Sequence, residues 1–119
     1  YAMFLDAVAC GGVGKGGNRI LKEYTIKLWK TNQLSGAAAE DFNNMRPGYG
    51  YGLGVRTHIN PEISRSHSPI GEFGWDGAAG AFAMVDTDNK ISLTYFQNVL
   101  GHAPDQTAIR NALYKDLEI

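Results

Sequence analysis

The residues best suited to chemistry lie in Phe73-Gly74-Trp75-Asp76-Gly77-Ala78-Ala79-Gly80-Ala81-Phe82, where an aromatic strand runs into small residues and resumes as a second apolar strand. Such a strand can border a cleft. Gly77 and Gly80 leave the backbone unshielded, so it can approach a ligand or another strand where a Cβ would obstruct it. The same letters fit a plain hairpin, because glycine within a strand commonly marks a turn, a bulge or close packing.

Other stretches with chemical letters read as structure. Gly12-Val13-Gly14-Lys15-Gly16-Gly17 satisfies G-x-G-x-x-G, but it follows a helical segment rather than a strand and lacks the βαβ context of a dinucleotide site. It also fails as a P-loop, since Ala9 stands where the first glycine is needed and Gly16 where Ser or Thr would hold magnesium. It reads as a flexible connection. Asp86-Thr87-Asp88 starts like a calcium loop, yet Lys90 takes the fifth position and Ile91 the sixth, where glycine is required. A hairpin turn remains, with Asn89 suited to a left-handed conformation. His58, His67 and His102 sit on separate segments without metal-ligand spacing, so neither a zinc site nor any cofactor is expected. Ser64-Arg65-Ser66-His67-Ser68 sets hydroxyls beside an imidazole, but sequence neighbours seldom have triad geometry, and the stretch reads as a solvated loop.

These residues are positioned by a chain whose 119 residues make one domain, or a large piece of one. The net charge of −1 supplies no cluster of Lys and Arg for nucleic acid or an anionic membrane, and no apolar run approaches a membrane span. The single cysteine, Cys10, excludes an internal disulfide and reads as a small buried side chain. Tyr1, rather than a methionine, opens what reads as a helix, which predicts that a longer protein precedes it.

Phe4, Leu5, Val8 and Ala9 recur at helical spacing before Gly11-Gly12, and a second helix runs from about Leu21 to Lys30 with Leu21, Thr25, Leu28 and Trp29 on one face. Residues 33 to 47 show no period and read as a surface connection. Tyr49 to His58 alternates as a strand, with Tyr49, Tyr51, Leu53 and Val55 on one side and Gly50, Gly52 and Gly54 on the other. A face made of glycine requires something large against it, or a bend. Ile59 to Ile70 carries two prolines and reads as a loop. Strands follow at about 72 to 76, 80 to 86 and 91 to 99, and Pro104 opens a helix with Ile109, Ala112, Leu113 and Leu117 along one face. The expected fold is α+β, an antiparallel sheet of three to four strands flanked by helices.

Taken together, Tyr49-Gly50-Tyr51-Gly52-Leu53-Gly54-Val55, Gly74-Trp75-Asp76-Gly77-Ala78-Ala79-Gly80, the Val85-Asp86 turn and the final helix resemble the C-terminal part of the β-lactamase-related serine hydrolases. The resemblance extends back through Phe4-Leu5-Asp6-Ala7 and Leu28-Trp29-Lys30-Thr31-Asn32. It rests on the order and spacing of these segments. It implies a partial β-lactamase/transpeptidase-like fold, with residues 1–119 a single segment of a larger domain and the upstream part of the parent chain as partner.

That group cuts its substrates with a serine in S-x-x-K, a tyrosine in Y-x-N or Y-x-S, and a K-T-G-like triad on a strand edging the cleft. No serine here has lysine three residues on, and no tyrosine has asparagine or serine two residues on. Trp75-Asp76-Gly77 falls where K-T-G would be. The resemblance therefore assigns an oxyanion-stabilising backbone N–H to Ala78 and substrate contacts to Trp75, Asp76, Gly77 and Phe73. A negative Asp76 facing the cleft would disfavour an anionic substrate and favour an uncharged ester or amide. The implied activity is ester or amide hydrolysis through an acyl-enzyme, with this segment inactive alone. A non-catalytic ligand-binding or regulatory protein of the same fold is the alternative, and unpaired sheet edges leave room for a dimer.

Overall fold

A computed structural model describes all 119 residues. Its elements are α1 (Ala2–Ala9), α2 (Glu23–Lys30), α3 (Gly36–Met45), β1 (Tyr49–Tyr51), β2 (Arg56–His58), α4 (Pro61–Ser64), β3 (Phe73–Asp76), β4 (Phe82–Asp86), β5 (Ile91–Tyr95) and α5 (Gln106–Asp116). The class is α+β, and the strands pair antiparallel in chain order, β1-β2-β3-β4-β5. No helix is long and apolar enough to cross a membrane.

Five strands replace the expected three to four because the alternating stretch from Tyr49 to His58 folds back on itself. Tyr49 pairs with His58 and Tyr51 with Arg56, and the Gly52 N–H donates to the Val55 carbonyl at 2.8 Å across the turn. Both answers to the glycine face apply. The chain bends at Gly54, whose φ is +80°, and a Cβ on Gly50 would run into the Asn32 side chain. Asn32 Oδ1 instead accepts from the Tyr51 and Leu34 N–H groups, at 3.0 and 3.1 Å.

One face of the sheet carries the apolar core. Phe73, Ala83 and Val85 pack with Leu5, Val8 and Ala9 of α1 and Ile26 of α2. Trp29 meets Phe73 edge-on, with centroids 5.5 Å apart. Ile26 is the buried residue of α2, whereas Thr25 and Leu28, expected on its inner face, are exposed. Cys10 is exposed, not buried, because α1 turns Ala7, Val8 and Ala9 inward and ends just before it. The glycine-rich connection after α1 is ordered by the Gly12 N–H on Ala7 O at 2.7 Å and by a bridge between Val13 and Arg19.

The opposite face is equally buried and sets charged residues, Arg56, Glu72 and Asp86, beside the apolar Phe82 and Met84. The α5 residues sealed against it are Arg110 and Tyr114, rather than the expected stripe of Ile109, Ala112, Leu113 and Leu117, of which Ala112 and Leu117 are exposed. Tyr114 donates to Asp86 Oδ2 at 2.7 Å. Asp86 also accepts from the Asp88 and Asn89 N–H groups, at 2.9 and 3.1 Å, which fixes the β4–β5 turn. Asn89 is held by Asp86 through its side chain as well, and the left-handed conformation falls on Lys90, φ +58°.

Burial, followed by the hydrogen bond to Asp86, pushes the Tyr114 phenol far above its ordinary value of 10.0. A group whose folded pKa is raised contributes its full stability below the unfolded value and loses it as pH rises beyond. Tyr114→Phe should therefore cost about 1 kcal/mol at neutral pH and flatten the fall in stability above pH ~10. Urea unfolding of both chains on either side of that pH checks this, and parallel alkaline slopes would refute it.

Candidate active site

The sequence segment singled out above becomes the exposed end of β3. On one side Trp75 pairs with Ala83 and Asp76 with Phe82. On the other side β2 stops at Arg56, opposite Gly74, so one edge of β3 beyond Gly74 is uncovered. The chain then turns tightly, with the Gly77 N–H on Ala81 O at 2.7 Å and the Gly80 N–H on Gly77 O at 3.0 Å. Gly80 is required by its own surroundings, having φ +85° and the Gln97 side chain where a Cβ would stand. Gly77 is not. A Cβ there would meet only the Ala81 carbonyl oxygen, at 3.9 Å. Ala78 is exposed, and its N–H donates to no acceptor within the chain.

Two neighbours fix the side chains at this end. Trp75, 41% exposed, is met edge-on by Tyr51 with centroids 5.5 Å apart, and Tyr51 is backed by Phe42 at 5.4 Å. The Arg46 guanidinium lies over the Trp75 ring, 5.1 Å from its centroid, and pairs with Asp76 Oδ2 at 2.8 Å. That pair removes the premise that Asp76 presents a free negative charge to the cleft. Asp76 is neutralised within the chain, so its charge does not select against an anionic substrate. Phe73 is buried, and with Trp75, Phe4 and Trp29 it lines an apolar cavity of about 220 Å³.

Arg46 and Phe42 come from α3 and its C-terminal cap, in the stretch read as a surface connection. No residue of α3 is buried, so it lacks the apolar period by which a helix is recognised. Its signal is the run Ala37-Ala38-Ala39-Glu40 after Ser35, all strong helix formers behind a capping residue type.

The serine-rich segment is not a solvated loop. Ser66 and Ser68 are buried, and the imidazole that meets a serine is His58 rather than His67. His58 Nε2 is 2.7 Å from Ser64 Oγ, and Nδ1 is 3.1 Å from the Pro69 carbonyl oxygen. A carbonyl can only accept, so Nδ1 carries a proton, and in the neutral ring Nε2 accepts from Ser64. Ser64 Oγ in turn accepts from the Ser66 N–H at 3.1 Å. These contacts close α4 onto β2, a structural arrangement that also pairs a hydroxyl with a base. No three His, Cys, Asp or Glu side chains group as a metal site.

No protein-family model and no curated protein matches the sequence. Solved structures do. EstCE1, described as a hydrolase with promiscuous acyltransferase activity, superposes on 92% of the chain with a TM-score of 0.73 and 19% identity. A penicillin-binding protein homolog from Caulobacter crescentus superposes on 94% with a TM-score of 0.69 and 23% identity. The chain carries part of the β-lactamase and penicillin-binding-protein fold. It spans 27% and 29% of the length of those two proteins. Within this fold the sheet and its flanking helices bring Trp75, Asp76, Gly77 and Ala78 together at one open strand end. His58 lies instead on β2, and Ser64 on α4, which closes onto it.

Proposed function

We propose that the chain forms one wall of the cleft of a serine hydrolase that cleaves esters or amides through an acyl-enzyme, as the C-terminal segment of a larger domain. The exposed, unpartnered N–H of Ala78, at the end of a strand whose edge is uncovered, carries this reading. The absence of a Cβ at Gly77, which nothing in the chain requires, supports it.

In the reaction a serine outside residues 1–119 attacks the substrate carbonyl while a neighbouring base takes its proton. Negative charge gathers on the carbonyl oxygen, and the Ala78 N–H donates to it. The tetrahedral centre then collapses, the leaving group departs with the proton, and water releases the acyl group by the same two steps. Trp75 supplies an apolar face that sheds water from the reacting carbonyl. Arg46 holds both the Trp75 ring and the Asp76 carboxylate, so the strand end keeps its place.

The purified 119-residue chain should turn over p-nitrophenyl acetate no faster than buffer does. A longer protein containing it should react with a fluorophosphonate at a serine beyond this segment. Mapping the label to Ser64, beside His58, or to any other serine of residues 1–119 would overturn the reading. A longer protein with neither S-x-x-K nor Y-x-N/S upstream would instead support a non-catalytic binding protein of the same fold.

A further inference from the structure

Four buried side-chain atoms lack a hydrogen-bond partner, and all belong to residues lining one cavity of about 600 Å³: Tyr49 Oη, Arg56 Nη2, Arg110 Nε and Asp76 Oδ1. Native chains satisfy nearly all such groups, so four around a single cavity point to an occupant. Cross-strand register sets Tyr49, Arg56 and Asp76 on the sheet face opposite Phe73. The cavity is thus distinct from the apolar one beside Trp75. Arg56 and Arg110 both stack on the Tyr49 ring, at 5.1 and 5.9 Å, which gathers the three donors around one ring.

We propose that this cavity binds a small carboxylate bearing a hydroxyl or ammonium group on the carbon next to the carboxyl. Its carboxylate oxygens accept from Arg56, Arg110 and Tyr49, and its hydroxyl or ammonium donates to Asp76 Oδ1. The charges agree. Arg56 and Arg110 share the single carboxylate of Glu72, the Arg110 Nε contact being an ion pair of 3.5 Å without a hydrogen bond. Asp76 is matched by Arg46, and Asp105 on the cavity wall is engaged in capping α5 through the Ala108 N–H. A bound carboxylate supplies the second anion the two buried arginines lack. The four atoms are closed to solvent in the unbound chain, so entry shifts side chains, and the Arg46–Asp76 pair is the more exposed ion pair of the wall.

This site shares Arg46 and Asp76 with the proposed cleft wall but does not rest on the hydrolytic reading. Calorimetric titration of the 119-residue chain with lactate, alanine, propionate and inorganic phosphate tests it. Lactate or alanine should bind saturably, and propionate, which leaves Asp76 Oδ1 unpaired, about fivefold or more weaker. Tyr49→Phe removes a hydroxyl without a partner in the unbound chain, so it should not lower Tm, while weakening the bound acid about fivefold. The assignment is overturned by no saturable binding of either acid up to ~10 mM, by equal affinity for propionate, or by tighter binding of phosphate. A Tyr49→Phe chain with unchanged affinity, or with a lowered Tm, overturns it too.

Discussion

Glu72→Gln should cost about 3–5 kcal/mol, a large share of the stability of a domain this size. Glu72 is the one carboxylate shared by two arginines that are 1% and 2% exposed. Its Oε1 lies 2.9 Å from Arg56 Nη1 and its Oε2 3.5 Å from Arg110 Nε. Burial, followed by the charge of Arg56, already holds the Arg110 guanidinium below its ordinary pKa. A neutral amide would leave two buried like charges with no counter-ion between them. A domain of this size has only about 5–15 kcal/mol of stability in total. Urea unfolding followed by circular dichroism measures the change, and a midpoint close to the parent's would show that the arginines find compensation elsewhere.

In a longer, active protein containing this chain, Ala78→Pro should lower kcat by roughly 10²–10³ with little change in KM, the cost of about 3 kcal/mol for one oxyanion donor. Proline removes the N–H and fixes φ, which suits the second position of the turn closed by the Gly80 N–H on Gly77 O, and the preceding residue, Gly77, tolerates the restriction that proline imposes. Ala78→Gly retains the donor and should keep most of the rate. A proline variant with intact circular dichroism and parental kcat would remove Ala78 from the chemistry.

Much of the fold was legible because its signals are local. The β3-β4-β5 meander follows from short alternating runs and from Asp86-Thr87-Asp88-Asn89, whose turn chemistry acts within four residues. The hairpin of β1 and β2 was hidden because its turn, Gly52 to Val55, continues the alternation of the strands it joins. The candidate site was half legible. Trp75 to Ala78 stand together in sequence, but Arg46, which neutralises Asp76, is 30 residues away and rides on a helix without a buried face. The polar layer was not legible, because Arg56, Glu72 and Arg110 have the letters of surface residues. Only the register of β2 and the docking of α5 bring them inside.

The early end of β2 also divides β3 mechanically. Phe73 and Gly74 are paired on both sides, whereas Trp75 and Asp76 are paired only with β4. The first half shares the stability of the core, whereas the second is held by β4 along one edge and by the Arg46 side chain across its end. The strand therefore behaves as a beam seated at one end and braced by a single side chain at the other, with Trp75 at the braced tip and Ala78 just beyond. Loss of that one brace would free the tip while Phe73 stays seated against Trp29.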